Sequence, residues 1–92
     1  MIDVMTQIEV MADVADIELD MYNQTFNYKN DFVLRASASE ASLYISQHSG
    51  SVNAFYLVKL VTKSITKQST IRDTDKLLTH VDMFCRQFGN GD

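Results

Sequence analysis

The spacing of apolar and polar residues changes along the chain and predicts its elements. In IDVMTQIEVM, residues 2–11, apolar side chains recur at three- and four-residue intervals, which is typical of a short amphipathic helix. In VADIELDM, residues 14–21, apolar and acidic residues nearly alternate, which predicts a strand with an acidic face. Residues 23–30 have no periodicity and are predicted to form a loop.

The next apolar run, DFVLRAS at residues 31–37, predicts a buried strand. Residues 37–42 are small and polar and are expected to form a second loop, followed by a short extended piece at 43–45. From Ser51 the apolar residues lie on one broad helical face, which predicts a helix over 51–67 with Ser49 or Ser51 as its N-cap. The apolar residues that define this face are Val52, Phe55, Tyr56, Val58, Leu60, Val61 and Ile65.

A polar break is predicted at residues 68–72, and a last helix is predicted after it. Asp73 is placed to cap this helix, and Gly89 lies where its C-terminal glycine belongs. Its apolar stripe consists of Leu77, Leu78, Val81, Phe84, Cys85 and Phe88. The order helix, strand, strand, helix, helix predicts an α/β fold. Its two strands either pair antiparallel or lie apart in a sheet, and segment 31–37 is expected to be an open edge.

Composition narrows the classes of function. The chain has 92 residues, 46% of them hydrophobic and 22% charged, which fits one globular domain. The net charge of −4 and the scattered basic residues argue against nucleic-acid binding. Three lysines recur at four-residue spacing, which places them along one side of the predicted helix: Lys59, Lys63 and Lys67. They form either a solvated surface or a docking surface for an acidic partner.

The single cysteine, Cys85, excludes an internal disulfide and favours a reducing, cytoplasmic compartment. No apolar run reaches the ~20 residues that span a membrane. The first residues lack the basic region of a signal peptide, so none is expected. Neither a metal nor a cofactor is predicted: His80 has no partner at a metal-ligand spacing, and Cys85 belongs to an apolar stripe. The acidic residues Asp16, Glu18 and Asp20 could bind a cation, although a solvated or basic-partner-facing strand is the better interpretation.

The stretch Gln47-His48-Ser49-Gly50 raises the question of catalysis. A serine nucleophile needs a base and an orienting group within hydrogen-bond reach, and adjacent residues rarely face each other so well. The flanking residues also lack the nucleophile-elbow pattern. The alternative is a turn in which Ser49 caps the following helix.

Residues 32–55, FVLRASASEASLYISQHSGSVNAF, carry a resemblance to a known family. They are similar to the strand, specificity loop and helix start in the small-subunit region of caspase-like cysteine proteases, and of paracaspases in particular. The resemblance implies a partial caspase-like sheet over residues 1–92. The substrate-pocket equivalents would be Ala36, Ser37, Ile45, Gln47 and His48, in and beside a loop at 38–46. Ser49, Gly50 and Asn53 would form a structural turn and cap.

The resemblance also implies an inactive protein. Tyr22 occupies the position of the nucleophilic cysteine, and a phenol with a pKa near 10 cannot replace a thiolate. Ile45 stands where paracaspases carry a pocket glutamate. The segment with the catalytic histidine and the strand of the dimer interface would both be missing.

We therefore expect a catalytically inactive caspase-like module that binds a caspase-like protein or its adaptor through an open sheet edge. One alternative is a fragment or isoform of an active cysteine endopeptidase. Another is an unrelated small structural domain.

Overall fold

The computed structural model describes residues 4–26, 29–48 and 54–89, with side chains for all of these except 22–26 and 29–31. The fold is α/β, with two helices packed on one side of a five-stranded antiparallel sheet. The elements are α1 (Val4–Val14), β1 (Glu18–Phe26), β2 (Lys29–Ser37), β3 (Ala41–His48), β4 (Phe55–Thr62), β5 (Thr66–Ile71) and α2 (Thr74–Phe88). The strands follow one another across the sheet in chain order, so β1 and β5 form its two edges.

The core lies between the helices and one face of the sheet, here called the helix face. Alternation along the strands places buried residues there, with Leu34 and Ile45 fully buried in β2 and β3 and paired with each other. Ile8 of α1 and Leu77 of α2 contribute the helical side of the core. The opposite face of the sheet, here called the open face, has no helix on it in the described part of the chain.

Helix α2 begins and ends as the sequence predicts, whereas α1 continues to Val14, three residues beyond the predicted end of the first helix. Asp73 caps α2 by accepting a hydrogen bond from the Asp75 backbone N–H at 2.9 Å, and its extended backbone is that of an N-cap residue. At the other end the Gly89 N–H donates to the Cys85 carbonyl at 2.9 Å. A Cβ at Gly89 would collide with that carbonyl, so the close approach of the chain explains the glycine.

Helix α1 ends in a Schellman motif without a glycine. The Ile17 N–H donates to the Ala12 carbonyl at 2.9 Å, and the Asp16 N–H donates to the Asp13 carbonyl at 3.1 Å. Asp16 occupies the left-handed position with φ 55°, which an aspartate tolerates better than most residues. Asp16 therefore belongs to this turn and not to the predicted acidic strand face, which retains Glu18 and Asp20.

Asp16→Gly is expected to raise the free energy of unfolding by about 0.5–1 kcal/mol, since glycine adopts a positive φ without strain. Asp13→Gly, three residues earlier in helical backbone, is the control and should lower it by a similar amount. Denaturant unfolding of both variants measures the difference. Destabilisation by Asp16→Gly would contradict the assigned turn.

Several expectations about the second half of the chain are wrong. In its described part, residues 54–67, the predicted helix is instead strand β4 and the start of β5, and the polar break at 68–72 falls mostly within β5. Val58 is buried on the helix face, whereas Phe55 and Val61 lie on the open face. Strand β4 is flanked by two strands and carries apolar residues on both faces, and such a run cannot be distinguished from a buried helix by periodicity alone. The proposed N-caps Ser49 and Ser51 lie outside the described residues.

The predicted loops are also shorter than expected. Strands β1 and β2 continue through most of residues 23–30, with Phe26 paired to Lys29. The loop expected at 37–42, and at 38–46 from the family resemblance, reduces to a turn closed by the Ala38 N–H donating to the Ala41 carbonyl at 2.9 Å. Segment 31–37 is not an open edge, because β2 lies between β1 and β3. The antiparallel pairing of the two predicted strands is confirmed.

Candidate protein-binding edge

The substrate-pocket equivalents do not line a common pocket. Ala36 and Ile45 are 5% and 0% exposed, and both point into the core on the helix face. Ser37 lies on the other face, where its hydroxyl accepts a hydrogen bond from Arg35 Nε at 3.0 Å. The side chain of Tyr22 and the residues Ser49, Gly50 and Asn53 lie outside the described part of the structure.

Gln47 has a structural role at the point where β2 and β3 separate. Backbone pairing between these strands ends at Val33 and Ser46. The Phe32 N–H, the next amide that faces β3, donates to Gln47 Oε1 at 3.4 Å. The Gln47 side chain thus supplies the acceptor that the diverging backbone no longer provides.

His48 is held on the open face by two neighbours. Its Nε2 is 3.0 Å from the Ser46 hydroxyl, and its ring stacks on Phe55 at a centroid distance of 4.8 Å. Ser46 and His48 are two residues apart on one strand, so their side chains lie on the same face of the sheet. In the described residues no carboxylate is hydrogen-bonded to His48, so this pair lacks the orienting group of a catalytic triad.

The Cys85 thiol does not have the setting of a nucleophile. Burial raises the pKa of the Cys85 thiol, and the carboxylate of Asp82 raises it further. The thiolate is the reactive form, so the rate of iodoacetamide labelling should rise at a higher pH than for a cysteine in an unfolded peptide. At neutral pH the labelling should therefore be slower. The unfolded chain is the control. Labelling as fast as in the unfolded chain at neutral pH would contradict this assignment.

Strand β5 offers a free backbone edge. Residues Thr66 to Thr70 are all exposed. The β4–β5 hairpin closes where the Thr62 N–H donates to the Ile65 carbonyl at 2.8 Å. Hydrogen-bonded pairs alternate with non-bonded pairs in an antiparallel ladder, so Lys67 and Ser69 bond to β4. The backbone groups of the alternate residues Thr66, Gln68 and Thr70 therefore point away from the sheet.

A cleft lies beside this edge on the helix face, where α2 leaves part of the sheet uncovered. Its volume is about 140 Å³, and Lys67 and Ser69 of β5 form its floor next to Leu60 of β4. Helix α2 contributes Met83, Phe84 and Phe88 from above. Met83 is 61% exposed although it is a large apolar residue, so the cleft presents apolar surface directly beside the free backbone.

Charge is distributed unevenly between the two edges of the sheet. Residues 1–28, which include α1 and the whole of β1, contain six carboxylates and no lysine or arginine. Residues 41–72 contain four basic residues and no carboxylate. These basic residues are Lys59, Lys63, Lys67 and Arg72. Because the strands follow chain order across the sheet, the β5 edge is the basic one.

Metal and membrane sites are not found in the described structure. No group of three or more His, Cys, Asp or Glu residues within the described ranges could hold a metal ion. Neither described helix is long and apolar enough to cross a membrane.

Comparison of the chain with protein-family models, with curated proteins and with solved structures gives no match. The resemblance to caspase-like proteases therefore stays a prediction.

Proposed function

We propose that this protein is a binding module that takes up an extended segment of a partner protein as an additional strand along β5. The observation that carries the proposal is the exposed edge from Thr66 to Thr70, with three residues whose backbone donors and acceptors point outward. An unpaired edge of this kind is a template for another strand, and main-chain hydrogen bonds supply the affinity.

The other edge is less suited to strand addition. On β1 the exposed Glu18 and Asp20 place two carboxylates next to each other on one face. Charged residues on an edge strand oppose pairing with another chain. Strand β5 carries a single charge, Lys67, and four small or amide-containing polar residues from Thr66 to Thr70. This composition favours β5 as the binding edge.

The family resemblance adds a candidate for the partner. Under it the chain is an inactive caspase-like module, and the segment bound at β5 belongs to a caspase-like protein or its adaptor in the cytoplasm. The alternative of a fragment of an active endopeptidase would place the missing histidine and cysteine on a longer chain. The geometry of β5 supports strand addition under either interpretation, as it does for an unrelated domain.

Selection from a library of extended peptides tests the proposal. Peptides are selected against the wild-type chain and counter-screened against Gln68→Pro, which removes the central outward N–H of β5. We expect binders that lose their affinity for the variant. Binders that keep it, or a library that yields none, would overturn the proposal.

A further inference from the structure

We infer that the strand accepted by β5 carries a carboxylate and a large apolar side chain two residues apart, with both pointing to the helix face. This inference rests on the proposed function and specifies the chemistry of the partner at that same edge.

The geometry of an added strand fixes which of its residues meet the cleft. In an antiparallel added strand, the residues opposite Thr66, Gln68 and Thr70 would bond to the outward backbone groups, and their side chains would lie on the open face. The residues opposite Lys67 and Ser69 would form non-bonded pairs, in which the side chains lie closest. Because side chains alternate between faces, these two residues of the partner both point to the helix face and are separated by one residue.

The position opposite Ser69 favours an apolar side chain. Ser69 is small and exposed, and beyond it the cleft is lined by Leu60, Met83 and Phe88. The volume of about 140 Å³ is close to that of apolar cavities that hold a benzene-sized guest. Met83 is flexible and adapts to differently shaped guests. One large aliphatic or aromatic residue of the partner would cover this apolar surface.

The position opposite Lys67 favours a carboxylate. The Lys67 side chain lies on the floor of the cleft, and no carboxylate occurs anywhere in residues 41–72. In the described part of the chain the Lys67 ammonium has no ion-pair partner. An acidic side chain two residues from the apolar one would pair with it, and the other basic residues of this edge would attract the segment at long range.

Fluorescence anisotropy with short blocked peptides tests the inference. Each probe is a threonine peptide with Glu-Thr-Leu or the reverse, Leu-Thr-Glu, at its centre. Each of these two orders corresponds to one direction of the added strand relative to β5. Control peptides carry lysine in place of glutamate, serine in place of leucine, or threonine throughout. We expect one of the two orders to bind roughly tenfold or more tightly than the all-threonine peptide.

Variants of the protein assign the contacts. Lys67→Glu should reverse the preference in favour of the lysine peptide, whereas Lys63→Glu, the same charge change in the β4–β5 turn, should reduce the preference for the glutamate peptide without reversing it. Met83→Ala should weaken the leucine peptide and leave the serine peptide unaffected. If the preference survives Lys67→Glu, the charge assignment is overturned.

The outcomes separate this inference from the proposed function. Equal binding of all peptides, abolished in every case by Gln68→Pro, would refute the carboxylate and apolar requirement while strand addition holds. Binding that Gln68→Pro does not change would refute both. A free chain that dimerises with its β5 amides protected would make a second copy the occupant and would also overturn the inference.

Discussion

Ile45→Ala is expected to lower the free energy of unfolding by roughly 2–5 kcal/mol. Ile45 is fully buried, is paired with Leu34 and Val58 on its two sides, and faces the helices. Removal of its side chain leaves a cavity between sheet and helices that the packed surroundings fill only in part. The loss is a large share of the 5–15 kcal/mol that stabilises a typical small domain.

Tyr44→Ala, one residue earlier on the same strand, is the control. Tyr44 is 38% exposed on the open face, with the Lys59 ammonium 6.0 Å from its ring centroid. Its loss should cost about 1 kcal/mol or less. Denaturant unfolding of both variants measures the difference. A mild effect at Ile45 with a severe one at Tyr44 would mean that the two faces of the sheet are wrongly assigned. It would also favour the hypothesis that Ile45 lines a substrate pocket.

Gln68→Pro is expected to reduce the binding of an added strand by roughly tenfold or more while the fold is retained. A proline at residue 68 removes the central outward N–H of β5, and its ring occupies the space that a neighbouring backbone needs. The loss of one hydrogen bond of about 1 kcal/mol together with this steric conflict corresponds to a tenfold change or more. The ladder with β4 keeps its bonds at Lys67 and Ser69, so the stability should change by about 1 kcal/mol or less.

Ser69→Pro is the matched substitution one residue further along. The Ser69 N–H points to Val58 of β4, so its loss breaks a ladder bond and should destabilise the hairpin far more than Gln68→Pro does. Comparison of the unfolding midpoints of the two variants checks which backbone groups of β5 are free. Equal destabilisation would contradict the assigned alternation.

The helices and one strand could be predicted because local signals specify them. Asp73 as a cap, the apolar stripe of α2 and the terminal Gly89 predict that helix closely, and the β-branched and apolar run at Phe32 predicts β2. Strand β4 could not be predicted from spacing, because its apolar residues serve both faces of a central strand. The short Lys63-Ser64 turn carries neither glycine nor proline, so the boundary between β4 and β5 has no strong breaker in the sequence.

The candidate site, like strand β4, could be predicted only in part from local sequence signals. The sequence predicts an open sheet edge as the binding feature, but which strand forms that edge depends on how many strands the chain supplies, and the pattern predicts fewer than the five observed. The cleft depends on long-range packing, since Leu60, Lys67 and Phe88 come from three elements. One signal was available in the sequence: the absence of carboxylates from residues 41–72 marks a basic segment without any reference to the fold.

The most direct test of strand addition is backbone amide hydrogen exchange in β5, measured residue by residue with and without a peptide selected against the wild-type chain. We predict that the Thr66, Gln68 and Thr70 amides exchange rapidly in the free protein and become protected when the peptide is bound, while the Lys67 and Ser69 amides are protected in both states. Unchanged exchange at Thr66, Gln68 and Thr70, with protection appearing instead along β1 or nowhere, would contradict the assignment of β5 as the binding edge.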